Sequence, residues 1–321
     1  MDVLWTNLPP ITKTWCLSTI IISTLLTLKK LKFINLLFIP DKIINQGQNW
    51  RILTTFITFG ELSIDLIFKI WEIQSSCSKL ENSFLLSKSI LPFGVLENFN
   101  EFQLQTLNQF IERNKTIDFF YFFGQICLSI ILCSLYLHYK FKITIMNLGS
   151  VLIQIFIYYE SKLRPLQQIN FFGILQFNNL YYPYFSAFLN LLLNERFNFE
   201  NDNQQQNQQQ PPQGGPFIFG SLRSLFNKPV LYFYLVSFIL GHFWWFSREI
   251  MIKDLHYNEE NDDLKKYKIR KQTLTRSSVW KFNIIRELLV FLLLPPWYWI
   301  IISKIKNQRQ PRQLQEIQHP L

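Results

Sequence analysis

The chain has 321 residues, 49% of them hydrophobic and only 17% charged, and a formal net charge of +10. Long stretches carry almost no charge, so the alternation of apolar and charged helix faces that marks a soluble domain is missing. The basic excess accompanies no aromatic-laced basic fold, which excludes nucleic acid as an expected partner.

Six apolar stretches are predicted as membrane spans, at residues 14–39, 50–70, 119–137, 142–159, 171–193 and 229–246. Most reach the roughly 20 residues that a helix needs to cross about 30 Å of hydrocarbon. The expected fold class is all-α, a polytopic six-span helix bundle over residues 1–250. Ahead of the first span, Pro9-Pro10 breaks helix and Trp5 and Trp15 suit the headgroup belt. No small-residue cleavage site closes that span, so it is expected to act as the targeting signal itself. Trp50-Arg51 opens the second run. An arginine at the mouth of a span is costly unless it is paired or reaches water, and on physics alone an ordinary interfacial anchor is the favoured account of the pair.

A long connection, residues 71–118, contains the acceptor Asn114-Lys115-Thr116. Basic residues beside the last spans favour a cytosolic C-terminus, and six spans then place the N-terminus there too. In that topology the acceptor faces the cytosol and stays unmodified. On the fourth span Asn147, Ser150 and Gln154 follow an i, i+3, i+7 spacing, which puts them on one helix face. They serve either as interhelical hydrogen-bonding groups or as the wall of a wet groove, with Gln125 and Ser129 of the third span opposite. The loop near 198–216 is Gln-rich, too poor in apolar residues to fold, and expected to be disordered. In the sixth span Ser237 and Gly241 form a small-x-x-x-small pair that lets helices approach closely, and His242 follows in an apolar setting. Residues 251–321 read as a basic cytosolic tail. Within it the apolar run 288–302 is short and interrupted by Pro295-Pro296, so it is expected to lie in the interface rather than span.

Reactive chemistry is sparse. Cys16, Cys77, Cys127 and Cys133 form no C-x-x-C and read as buried small hydrophobes, so no metal and no cofactor are expected. Ser150 and His242 suggest an intramembrane serine protease. However, only Gly149 flanks the serine, and the oxyanion donors a nucleophile needs are not signalled. A transporter would show an inverted repeat or charged midplane sites, and neither is seen.

Several landmarks in order nevertheless resemble the derlins, rhomboid-like pseudoproteases of the endoplasmic reticulum. Leu8-Pro-Pro-Ile-Thr-Lys13 with Trp15 is similar to the family's opening segment, and Gln48-Asn-Trp50-Arg51 to its WR motif. Leu80-Glu81 follows the second span, and Phe171-Phe-Gly173 with Tyr182-Pro183 surrounds the fifth. Ser237 to Gly241 with His242 resembles the GxxxG segment, and Leu294-Pro295 with Trp297 a later TPxW-like one. The resemblance implies a rhomboid-like bundle with no enzymatic activity. It also implies an endoplasmic-reticulum role in retrotranslocating misfolded proteins for ubiquitination and proteasomal degradation. The implied partners are misfolded substrates, a membrane ubiquitin ligase complex with its adaptors, and the lipid bilayer. The tail lacks an FxGxG-type box, so an AAA ATPase is expected to be reached through a partner. Trp50 and Arg51 would shape the lumenal mouth, and Ser237 and Gly241 would pack the sixth span.

Overall fold

A computed structural model describes residues 8–86, 90–92, 99–171, 175–193, 228–251 and 287–307. The Gln-rich loop near 198–216 and the charged stretch at 253–286 lie outside the described residues. In chain order the helices are α1 (Pro10–Thr27), α2 (Pro40–Gln46), α3 (Trp50–Thr54), α4 (Ile64–Ser83), α5 (Glu101–Arg113), α6 (Lys115–Phe141) and α7 (Leu148–Leu163). Then come strands β1 (Gln168–Phe171) and β2 (Leu175–Asn178), and helix α8 (Tyr182–Leu193). Helix α9 (Lys228–Trp245) continues as a π turn over Phe246–Met251. A bent pair closes the description, α10 (Glu287–Leu293) and α11 (Pro296–Asn307).

The fold is thus mostly helical, with one antiparallel hairpin in register Gln168↔Asn178 that the all-α expectation did not include. Among the described residues two helices are long and apolar enough to cross a membrane, α6 and the stretch Val230–Met251, or three if the bent pair counts as one span. The apolar runs and the helices do not coincide. The first run, 14–39, ends as helix at Thr27, where Lys29 takes a left-handed φ of 54°. The second, 50–70, is two helices. Gly60 breaks it with φ +113°, and Ser63 starts α4 by accepting the Leu66 amide at 3.4 Å. Hydrophobicity measured solvent there, not helix continuity.

The chain forms two compact units, Met1–Phe84 with Phe122–Phe246, and Leu85–Tyr121 with Ser247–Leu321. In the first, α7 is the core. Its side chains from Leu148 to Ser161 are all buried, because α4, α8 and α9 all pack on it. A helix that is apolar all round has to be enclosed in this way. Helix α1 packs on α4, and Glu81 fastens the two. The Glu81 carboxylate accepts from the amides of Ile11 (3.0 Å) and Thr12 (2.9 Å) and from the Thr12 hydroxyl (2.8 Å). The first amides of a helix have no intrahelical partner and attract negative charge, so a buried carboxylate fits there.

In the second unit α11 lies on α5, with Gln103 Nε2 donating to the Ile305 carbonyl at 3.1 Å. The 109° bend at Pro295 brings Trp297 and Tyr298 to Asp118, whose carboxylate accepts from Trp297 Nε1 (3.3 Å) and from the Tyr298 hydroxyl. Phe110 meets the Tyr298 ring edge-on at 5.6 Å.

Replacing Glu81 with Ala orphans the buried amide and hydroxyl of Thr12 and the part-buried amide of Ile11, which is expected to cost about 3 kcal/mol. Thermal unfolding of the detergent-solubilised protein measures it. Glu81→Gln, which keeps one acceptor, should lose less, and equal midpoints for all three proteins would discard the cap as a stabilising contact.

Candidate functional site

In the first unit, residues 28–63 form a connection of short helices and irregular backbone whose free carbonyls need partners. Arg51 supplies them. It is only 1% exposed, and its guanidinium donates to the carbonyls of Ile34 (2.6 Å) and Leu37 (3.0 Å) and to Gln48 Oε1 (2.6 Å). Trp50 beside it is 54% exposed, so the two halves of the motif separate, one tying the loop internally and the other facing outward. Thr54 and Thr55 extend the tie. Thr54 Oγ1 donates to the Leu36 carbonyl, Thr55 Oγ1 to the Met146 carbonyl, and the amide of Gly149 to the Thr55 carbonyl at 3.2 Å. Gly149 is required for this approach, since a Cβ there would stand 2.8 Å from the Phe56 carbonyl oxygen.

Asn147 belongs to the same junction. It precedes α7, and its Oδ1 accepts the Ser150 amide at 3.1 Å as an N-cap. The shared-face reading of Asn147, Ser150 and Gln154 is corrected to that extent, because the helix starts one residue after Asn147. Ser150 is buried in the first turn. Gln154 lies deeper, donating through Nε2 to the Pro183 carbonyl at 2.8 Å.

Gln154 is the edge of a polar cluster between α4, α7 and α8 that the sequence analysis missed. Lys69 and Glu72 of α4 pair at 3.3 Å, both almost wholly buried. Lys69 Nζ also donates to Asn190 Oδ1, and the Ser186 hydroxyl donates to Glu72 Oε1. Asn190 Nδ2 adds contacts to Glu72 Oε1 (3.4 Å) and Ser186 Oγ (3.3 Å), and Ser186 Oγ lies 3.4 Å from Gln154 Oε1. Five side chains from three helices thus share one network inside an apolar bundle. The signal was present. Lys69 fell inside a run read as a span, where an ionisable residue is a functional hypothesis by default, and Glu72 follows at i+3. A second ion pair, Lys79 to Glu160 at 3.6 Å, closes the opposite end of α4 onto α7, and Asn179 Nδ2 holds Glu160 Oε2 at 2.6 Å.

Gly241 is where α9 meets α7. A Cβ added there would lie 3.0–3.2 Å from the Tyr158 side chain, so the glycine sets the seam. Ser237 is fully buried and donates back to the Phe233 carbonyl at 2.8 Å. Ser129 accepts from Trp244 Nε1 at 3.1 Å, so it faces α9. His242 Nδ1 lies 3.1 Å from the Tyr158 hydroxyl. Tyr158 follows Ser150 by eight residues, roughly 12 Å of helix rise, so this contact places His242 well away from Ser150. No cluster of His, Cys, Asp and Glu able to hold a metal occurs among the described residues, and all four cysteines are free thiols.

Residues 8–201 match the model of the Der1-like family. Among characterised relatives, Derlin-2.1 of Arabidopsis thaliana is 26% identical over 185 residues, 56% of this chain and 64% of the relative. Derlin-2.1 of Zea mays is 23% identical over 184 residues, 56% of this chain and 63% of the relative. Derlin-2 of Oryza sativa subsp. japonica is 24% identical with the same coverage. The match therefore spans less than two thirds of these relatives' length. No solved structure matches the chain significantly.

The Lys69–Glu72 pair gives a sharp energetic expectation. Removing one partner, as in Lys69→Met, strands a buried carboxylate and should destabilise the fold by about 3–5 kcal/mol. The double change Lys69→Met with Glu72→Leu strands no charge and leaves only the neutral Ser186 and Asn190 side chains to bond each other, so it should recover much of that loss. Denaturant unfolding in micelles reads both, and additive losses in the double variant would refute mutual dependence.

Proposed function

Because the chain belongs to the Der1-like family, we propose that it is a derlin-like, non-enzymatic component of endoplasmic-reticulum-associated degradation. In this reading it helps misfolded proteins return to the cytosol for ubiquitination and proteasomal degradation. It sits in the endoplasmic reticulum membrane as a six-span rhomboid-like bundle of α1, α4, α6, α7, α8 and α9, with both termini cytosolic. Its partners are misfolded clients, a membrane ubiquitin ligase complex with adaptors, and an AAA ATPase reached through a partner.

The observation that carries the reading is the network of Lys69, Glu72, Gln154, Ser186 and Asn190. An unfolded segment entering lipid loses several kcal/mol for each unsatisfied backbone group. Amide, hydroxyl and charged side chains gathered between α4, α7 and α8 offer such a segment replacement donors and acceptors. The central helix adds a second effect. Its 16 residues rise only about 24 Å, against a hydrocarbon core of about 30 Å. A bundle built around a centre that short, with the 12-residue α8 beside it, matches a thinner bilayer and draws lipid inward at its perimeter. Arg51, by fixing residues 34–37, shapes the loop at the mouth of this path. The separation of Ser150 from His242 supports a non-enzymatic role.

Turnover of a misfolded lumenal protein in cells depleted of the native chain tests this. Lys69→Met with Glu72→Leu, expressed at normal level, should slow turnover as far as depletion does, while Ser150→Ala should leave it unchanged. Normal turnover with the apolar pair would remove the polar interior from the mechanism. In the same cells Asn114 should remain unglycosylated, because the topology places it in the cytosol. A sugar there would reverse the orientation.

A further inference from the structure

We propose that Lys162, His242 and Trp245 form a binding site for the phosphate of an anionic membrane lipid, at the C-terminal end of α7. Nothing in the retrotranslocation reading requires or supplies this site, and it stands independently of that reading.

Lys162 is a cation with no counterion among the described residues. Lys162 Nζ lies 5.5 Å from the centroid of the Tyr158 ring and 5.9 Å from that of Trp245. Two aromatic faces attract an ammonium group but do not neutralise it. Among the described residues no carboxylate pairs with Lys162. Glu160, two positions earlier, is turned the other way, onto Lys79 and Asn179. Beside the lysine stands a second polar group on a surface that is otherwise apolar. His242 is exposed on the face of α9 that carries the exposed side chains of Ile239, Phe243 and Phe246. Its Nδ1 is engaged by the Tyr158 hydroxyl at 3.1 Å, while its Nε2 has no hydrogen-bond partner among the described residues. The Trp245 ring lies 5.4 Å from the imidazole, and its indole N–H likewise donates to no described residue.

Lys162 thus supplies a cation, Trp245 an indole N–H, and His242 a ring nitrogen that donates when the Tyr158 hydroxyl donates to Nδ1. A polar group facing hydrocarbon is costly unless something satisfies it. The ligand that fits is an anion with several acceptor oxygens, and the charge-assisted bonds it would receive are the strong kind. Position selects the source. Lys162 is one residue from the end of α7, and Trp245 ends α9, so the donors lie at the end of the bundle where aromatic side chains meet headgroups. The neighbouring exposed groups, Phe243 and Phe246, are apolar and suit an acyl chain rather than water. A lipid provides the phosphate and the chain together. Gly241 contributes by holding α9 against Tyr158, which brings His242 and Trp245 of α9 beside Lys162 of α7.

The full chain is reconstituted in nanodiscs of phosphatidylcholine containing a minority of phosphatidylserine, then released into detergent, and native mass spectrometry counts the lipids that stay bound. The wild type should retain phosphatidylserine in preference to phosphatidylcholine. Lys162→Met, which keeps the aliphatic stem over the rings, should weaken retention about tenfold, the loss expected for one charge-assisted hydrogen bond. Lys162→Arg should restore it, and His242→Phe should reduce it while preserving the stacking. Lys29→Met, a basic residue elsewhere in the same unit, should have no effect. Equal retention of the two lipids, or equal losses from Lys29→Met, would overturn the proposal. Displacement of the bound lipid by millimolar inorganic phosphate would overturn the lipid assignment in favour of free phosphate. Circular dichroism separates a lost site from a lost fold, and the arginine variant keeps the test decisive if the methionine variant unfolds.

Discussion

Irregular backbone lying among apolar helices has to find its hydrogen-bonding partners within the protein, because hydrocarbon supplies none. Two buried charges of opposite sign meet that demand. Arg51 donates to carbonyls in the loop that follows α1, and Glu81 accepts amides at the start of the same helix. One charge serves free acceptors and the other free donors, so the sign of each follows from the backbone group it satisfies. Threonine hydroxyls fill the remaining positions, Thr54 and Thr55 above all. The helices on either side of that loop can then be short and interrupted while its backbone stays bonded.

Short helices in turn require a well-enclosed centre. Helix α7 lies among α4, α8 and α9 with almost no exposed side chain, and its two ends are fixed by different chemistry. At the start Asn147 caps it and Gly149 admits the loop backbone, while at the end Glu160 is held by Lys79 and Asn179. Gly241 lets α9 close on the same helix. Polar anchors at both ends and a glycine seam along the side define one position for α7, around which the bonds of Gln154 and the contacts of Tyr158 are then determined.

Much of this was legible in the chain, though unevenly. The membrane class and the mostly helical fold followed from hydropathy, while Arg51 and Gly241 stood out chiefly through the family resemblance. The helix limits did not follow. Threonine and phenylalanine around residues 54–59 are apolar enough to extend a span, but the hydroxyls bond to backbone and Gly60 turns the chain, so hydropathy ran on where the helix stopped. The polar network escaped for another reason. Lys69 and Asn190 are 121 residues apart, and only tertiary packing brings them together. Asn147 shows the reverse error, since spacing alone cannot tell the first residue of a helix face from the cap before it.

The network also poses a question that stability cannot answer. Replacing a buried ion pair with apolar side chains of similar size is often neutral or favourable, so Lys69 and Glu72 are not explained by the strength they add. Nor is helix registry a sufficient account, because Gly241 and the ends of α7 already fix the neighbouring helices. What remains distinctive is the concentration of exchangeable donors and acceptors in one place inside an apolar bundle, each bonded to another side chain of the network or, for Gln154, also to the Pro183 carbonyl. On the proposed reading, side chains would trade such partners for those of a passing polypeptide without breaking the backbone bonds that hold the helices together. A framework fastened through its backbone, with a polar interior joined mainly by side chains, separates the part that must stay intact from the part that is free to rearrange.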